Sequence, residues 1–187
     1  MNLITSISQL HHHVFSRLEK LTEGWFLGLF ARFTFLAVLF FYFFNSWKTK
    51  TSDGLLGFLL ASDGAYYQIV PWAMEAAGGD SSQAGLFNHL LVHSGMLAEL
   101  VLPLLVLAGL FARIASLGMI GFIAVQSFVD IRFHGVDEST AGMWFDRASD
   151  GLIWDQRMLW VFVLSYVAVK GAGWISLDHL FWGRKSR

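Results

Sequence analysis

The chain has 187 residues, of which 55% are hydrophobic and 14% are charged, and its mean hydropathy is +0.53. A soluble domain carries about 25% charged residues, so this composition, with 18 Phe and 8 Trp, indicates an integral membrane protein. The net charge of −1 gives no support to nucleic acid as a partner. The absence of cysteine excludes disulfides, thiol redox chemistry and iron–sulfur ligation by cysteines of this chain.

The N-terminal segment, residues 1–24, is predicted to form a short amphipathic helix on the membrane surface. Its apolar residues recur at helical spacing from Ile4 to Leu21 and occupy one broad face. The three histidines at 11–13 are consecutive, so they point in different directions around a helix and do not share one metal ion. We interpret them as part of a polar face at the interface.

Four apolar stretches have the length of membrane-spanning helices. The first is bounded by Trp25 and Trp47, as in the aromatic belts of membrane proteins. The connection at 48–85 is too interrupted by charged and glycine-rich pieces to span, and it is expected to cap the bundle or to lie in the interface. The sequence therefore predicts an all-α, integral membrane four-helix bundle within residues 25–175, followed by a basic cytoplasmic tail at 176–187. The predicted spans are residues 25–47, 87–110, 114–131 and 153–170.

The distribution of lysine and arginine predicts that both termini are cytoplasmic. With the N-terminus inside, eight Lys and Arg residues lie on the cytoplasmic side and five on the other side, where ten of the fourteen acidic residues also lie. An excess of Lys and Arg in cytoplasmic segments is the usual arrangement.

Polar residues of all four predicted spans collect at the same depth, in the outer third of the membrane. On the second span, His89 and His93 are one turn apart and share a face; Gln126 and Asp130 have the same spacing on the third. Polar groups at this depth are costly unless they face the bundle interior or one another. The pattern predicts a polar pocket with a proton-relay role, and purely structural pairing is the alternative.

Glu99 is a carboxylate inside the second predicted span, about 15 Å below His89. It is a candidate for the deeper part of the same pocket. The alternative is a structural ion pair with Arg32 of the first span. Both interpretations exclude a lipid-facing position, because an unpaired charge there is costly.

Three stretches, taken in order, resemble the DoxX family of small four-helix membrane proteins over about residues 30–178. In "RFTFLAVLFFYFFNSWKTK", Arg32 and Lys48 resemble the charged residues that open and close the family's first helix. "AELVLPLLVLAGLFARIASLGMIGFIAVQ" resembles the family's Ala-Glu and Gly-Leu-x-x-Arg pattern, with Glu99 and Arg113 at its charged positions, and "GAGWISLD" resembles its closing motif. These four residues are expected to form structural charge pairs. The long connection at 48–85 departs from the family pattern.

The resemblance implies a redox-associated, multi-pass protein of the bacterial inner membrane. Some members of the family are the membrane subunit of a thiosulfate:quinone oxidoreductase. The first hypothesis is therefore a quinone-linked membrane subunit, in which a partner oxidoreductase subunit supplies electrons and His93 or Asp130 relays protons, with Glu99 in reserve. No intrinsic cofactor is evident in the sequence. Membrane lipid and a homo-oligomer are the other partners considered.

Two further hypotheses remain open. The first alternative is a copper- or zinc-binding membrane protein, with His89, His93 and His134 as nitrogen ligands and Asp130 as an oxygen ligand. The second is a non-catalytic membrane anchor or scaffold, whose polar residues hold the helices together. The sequence does not decide among these hypotheses, nor whether the chain is itself an enzyme.

Overall fold

The computed structural model describes residues 3–183 and is 75% helical. This range contains no β-strand, and its one isolated antiparallel bridge joins Thr51 to Ala61. The all-α prediction is therefore confirmed. The end of the predicted basic tail, 184–187, lies outside the described residues.

The helices follow one another through mostly short connections, and α2 is continuous through a π-helical turn at Leu36–Phe40. In chain order the helices are α1 (Leu3–Thr22), α2 (Phe26–Lys50), α3 (Asp63–Ile69), α4 (Pro71–Ala76), α5 (Leu86–Ala108), α6 (Ala112–Arg132), α7 (Glu138–Ala141), α8 (Trp154–Lys170) and α9 (Leu177–Trp182).

Three of these helices, α2, α5 and α6, are long and apolar enough to cross a membrane. They have 25, 23 and 21 residues and coincide with the first three predicted spans to within a few residues. This length and composition indicate a membrane protein. Helix α8 lies at the fourth predicted span but has only 17 residues.

Helices α2, α5, α6 and α8 pack as a ring in which each contacts two neighbours. Their shared core consists of large apolar side chains with almost no exposure, whereas other large apolar side chains, such as Phe33 and Phe162, point outward and are exposed. An apolar outer surface of this kind is expected where helices contact lipid. The core residues are Phe35, Leu39, Phe43, Val106, Ala115, Met119, Ile123, Trp160 and Leu164.

The connection between α2 and α5 packs onto the ends of those two helices. Helices α3 and α4 enclose a small core of their own, in which Tyr66, Val70 and Met74 pack against Val92 of α5. We call this end of the molecule, where α2 ends and α5 begins, the cavity end.

The opposite end, where α5 turns into α6, is called the clamp end. Gly109 ends α5 in the left-handed conformation, with φ of +67°, and the Asp178 carboxylate accepts hydrogen bonds from the backbone N–H groups of Phe111 and Ala112. The first N–H groups of a helix lack partners within it, so this contact caps α6 from a distant part of the chain. The turn is thereby held by the closing motif of the sequence.

Candidate functional site

A cavity of about 710 Å³ lies between α2, α5 and α6, below α3 at the cavity end. Small residues on α5 and α6 leave the space open: Gly95 and Ala98 line it from one side, and Gly118 and Gly121 from the other. A methyl group added at Gly121 would meet no other atom within 4 Å. The volume falls in the range of small-molecule sites, about 300–1,000 Å³.

A buried ion pair forms part of the cavity wall. The Lys50 ammonium donates to Glu99 Oε2 at 3.0 Å and to Ser46 Oγ at 2.7 Å, and the Ser46 hydroxyl donates to Glu99 Oε1 at 3.2 Å. Lys50 is 4% exposed and Glu99 is 3% exposed. A buried charge is tolerated when it is paired and hydrogen-bonded, and each member of this cluster satisfies the other two.

The local sequence explains how these groups meet. Tyr42, Ser46 and Lys50 are spaced by four residues on α2, so they form one polar stripe along that helix. All three line the cavity, as does Glu99 from the facing helix α5. The stripe requires α2 to continue to Lys50, three residues beyond the predicted end of the first span.

A second polar group lies on α6. The Gln126 amide donates to the Tyr42 hydroxyl at 2.7 Å, and Gln126 Oε1 has no hydrogen-bond partner among residues 3–183 although the atom is buried. Asp130 is bound through Oδ2 by the Arg157 guanidinium of α8, which also donates to Ser127. At the mouth, His134 Nε2 donates to the Gln68 carbonyl at 3.1 Å.

The cavity opens sideways as well as toward the cavity end. Val125 of α6 lines it yet is 59% exposed, and Ser94 of α5 is also an exposed wall residue. Helical spacing places Val125 and Gly121 on the same face of α6 as Ile114 and Phe128, which are 72% and 60% exposed. The opening therefore lies on the apolar outer surface of α6, beside α5.

The structure brings three of the predicted pocket residues, Glu99, Gln126 and Asp130, to one cavity, which His134, a candidate ligand of the metal alternative, also lines. It places His89 and His93 elsewhere. His89 Nδ1 is hydrogen-bonded to the Tyr66 hydroxyl at 2.5 Å, and His93 Nδ1 donates to the His89 carbonyl.

The pKa of the Tyr66 phenol, which is hydrogen-bonded to His89, is shifted upward. Burial raises this pKa, and the negative charge of Asp63 raises it further. The phenol therefore stays protonated. His89 joins the connection to α5 through Tyr66, His93 is hydrogen-bonded within α5, and neither histidine lines the cavity.

The candidate copper or zinc ligands are not gathered in one place. Among residues 3–183, no three His, Cys, Asp or Glu side chains lie close enough to hold one metal ion. His89, His93 and His134 each bind a different group, and Asp130 is paired with Arg157.

The candidate charge pairs also differ from expectation. Glu99 is bound by Lys50, so the expected pair between Glu99 and Arg32 does not form. Arg32 instead donates to the backbone carbonyls of Leu107 and Ile175 at the clamp end. These carbonyls, near the end of α5 and in the closing motif, are among the groups that helix ends and loops leave without partners.

The other two charged positions, Lys48 and Arg113, are exposed. The Lys48 ammonium lies over the Phe44 ring at 4.5 Å and does not reach Glu99. Arg113 is exposed and lies beside Gly171. Lys50 is thus the functional candidate that sequence reasoning missed, and the four-residue spacing of Tyr42, Ser46 and Lys50 was the available signal.

Comparison with known proteins yields no match: no family model, no curated protein and no solved structure matches the chain. Inferences about function therefore rest on the cavity itself. The cavity walls are largely apolar, and the deep polar cluster pairs Lys50 with Glu99. The opening lies on the apolar outer surface of α6. Such a site suits a lipid-soluble molecule with a polar, uncharged head group.

Proposed function

We propose that the chain is a DoxX-like protein of the bacterial inner membrane that serves as the membrane subunit of a quinone-linked oxidoreductase complex. In this proposal α2, α5, α6 and α8 are the four spans, and α1 lies on the membrane surface. Both termini are cytoplasmic, and the cavity is in the outer leaflet. The quinone head group occupies the cavity beside the Lys50–Glu99 pair, and a partner subunit supplies the redox centre.

The single observation that carries the proposal is the sideways opening of a cavity that contains a buried ion pair. A ligand that enters between α5 and α6 comes from the bilayer, so it must dissolve in lipid. A head group that reaches the deep wall meets Lys50, Ser46 and Glu99, which favour hydrogen-bonding groups over hydrocarbon. Quinones combine these two properties.

The position and packing of α8 support its assignment as the fourth span. It contacts both α2 and α6 along the common core, through Trp160 and Leu164. Its 17 residues reach about 25 Å, close to the thickness of the hydrocarbon layer. Helix α1 supports a surface position because Ile4, Leu10 and Leu21 form an apolar face that is exposed.

The test is the quinone content of the full chain purified into lipid nanodiscs from native membranes. Quinones are extracted and quantified by mass spectrometry, relative to empty nanodiscs made with the same lipids. We expect about one quinone per chain in the wild type. The matched variant is Lys50→Met with Glu99→Leu, which removes both charges and keeps the volume apolar, and we expect it to retain much less.

Quinone at the level of empty nanodiscs in the wild type would contradict the proposal. It would leave the scaffold hypothesis, in which the ion pair only joins α2 to α5.

A further inference from the structure

The hydrogen-bonding capacity that the buried cluster leaves unused consists of acceptors. The three N–H donors of Lys50 are all engaged, by the Ser46 carbonyl at 3.3 Å, by Ser46 Oγ and by Glu99. The single O–H donor of Ser46 is engaged by Glu99. No donor of this cluster remains for a ligand.

The acceptors are not exhausted. An ionised carboxylate has about four acceptor positions, and Glu99 uses two of them within the cluster. Two further acceptors belong to cavity residues of α6: Gln126 Oε1, which has no partner within the described range, and Asp130, whose Oδ2 is the atom bound by Arg157. The deep wall and the α6 wall therefore call for a ligand that donates hydrogen bonds.

A quinone and its reduced form differ in this respect. The two carbonyls of a quinone only accept hydrogen bonds, whereas the two hydroxyls of the hydroquinone also donate. We infer that the cavity binds the hydroquinone form more tightly than the quinone form, through hydrogen bonds donated to Glu99 and to an α6 acceptor. This inference rests on the proposed function, since it takes the cavity to be a quinone site.

The remaining donors near the cavity do not reverse the preference at the buried cluster. The Tyr42 hydroxyl accepts from Gln126 and keeps its own proton, and Gln68 at the mouth carries an amide. These groups can donate to a ligand oxygen on the α6 side or at the mouth. They do so equally for both redox forms, because hydroquinone oxygens also accept hydrogen bonds. Only the hydroquinone satisfies Glu99, so the charged acceptor decides between the two forms.

The experiment compares dissociation constants of a benzoquinone with a ten-carbon tail and of the matching hydroquinone. Both are titrated without oxygen against the full chain in nanodiscs stripped of native quinone. We expect the hydroquinone to bind about tenfold more tightly, the size of effect that one hydrogen bond to a charged acceptor provides. A second pair needs no redox control: 4-nonylphenol is expected to bind about tenfold more tightly than its methyl ether, which lacks the donor.

Variants assign the preference to Glu99. In Glu99→Gln the amide supplies a donor of its own, so the preference for hydroquinone should fall below about threefold. The matched control is Ser94→Ala, which removes a hydroxyl of the cavity wall that donates to the Leu90 carbonyl within α5 and takes no part in the buried cluster. It should leave the preference unchanged.

The outcomes separate the two proposals. Equal affinity for the two redox forms, or tighter binding of the quinone, overturns the inference and leaves the quinone site in place. A preference that persists unchanged in Glu99→Gln overturns the assignment to this carboxylate. Failure of both redox forms to bind overturns the proposed function and the inference together.

Discussion

The two ends of the molecule each bury a basic side chain, and they use it in opposite ways. At the clamp end, Arg32 is 9% exposed and donates to carbonyls of α5 and of the closing motif, while Asp178 caps α6 beside it. At the cavity end, Lys50 is 4% exposed, is paired with Glu99 and borders about 710 Å³ of open space. The comparison teaches that a buried charge alone does not mark a functional site.

The surroundings make the difference. The clamp ties three segments together, and a methyl group added at Gly109 would meet Ser176 at 2.6 Å, so no room is left for a ligand. The cavity is kept open by residues such as Gly121, where an added methyl group meets nothing. Because of this difference in packing, we interpret the cavity end as a binding site and the clamp end as a structural joint.

The largest effect is expected from a substitution that breaks the Lys50–Glu99 ion pair. Lys50→Met leaves the Glu99 carboxylate buried without a counter-charge, so the free energy of unfolding should fall by about 3–5 kcal/mol. The double variant Lys50→Met with Glu99→Leu should recover most of this loss, because no charge remains. Reversible unfolding in mixed micelles measures both. A double variant as unstable as the single one would show that the pair is not an isolated unit.

The next largest effect is expected from removal of the Arg32 side chain at the clamp end. Arg32→Leu leaves the Leu107 and Ile175 carbonyls buried without a donor, and the free energy of unfolding should fall by about 3 kcal/mol. Arg32→Lys should recover only part of it, because an ammonium lacks the planar fork that reaches both carbonyls. Hydroquinone binding by folded protein should be unchanged in both variants. Weaker binding in Arg32→Lys would mean that the two ends are coupled.

A smaller effect is expected from the cap of α6. Asp178→Ala should lower the free energy of unfolding by about 1–2 kcal/mol, the range for loss of a helix N-cap. Hydrogen exchange gives the local test: the amides of Phe111 and Ala112 should exchange faster, and those of Tyr66 and Val70 should not. Unchanged exchange at Phe111 and Ala112 would contradict the capping role.

Much of the fold was predictable because length and hydropathy report directly on helices that contact lipid. The inward position of Glu99 was also predictable, since a carboxylate at that depth needs a partner. Its partner was not: the alternative named Arg32, whereas the partner is Lys50, and hydropathy does not show that α2 extends to residue 50.

The histidines of α5 show a second limit of the sequence. The spacing of His89 and His93 fixes their directions relative to each other. It does not fix which neighbour that side of the helix meets, and tertiary packing turns it toward Tyr66 and away from the cavity. Helical periodicity therefore predicts shared faces but not the contacts those faces make.

The most direct test of the cavity uses the substitution with the smallest expected effect on stability. Gly121→Leu extends a side chain into open space without a clash, so the free energy of unfolding should rise by no more than about 0.5–1 kcal/mol, the gain in helix propensity. The matched control, Ala124→Leu, adds a similar volume on α6 outside this cavity. Binding of the ten-carbon hydroquinone in nanodiscs should be lost in Gly121→Leu and retained in Ala124→Leu. Wild-type affinity in a folded Gly121→Leu variant would contradict a ligand site in this cavity.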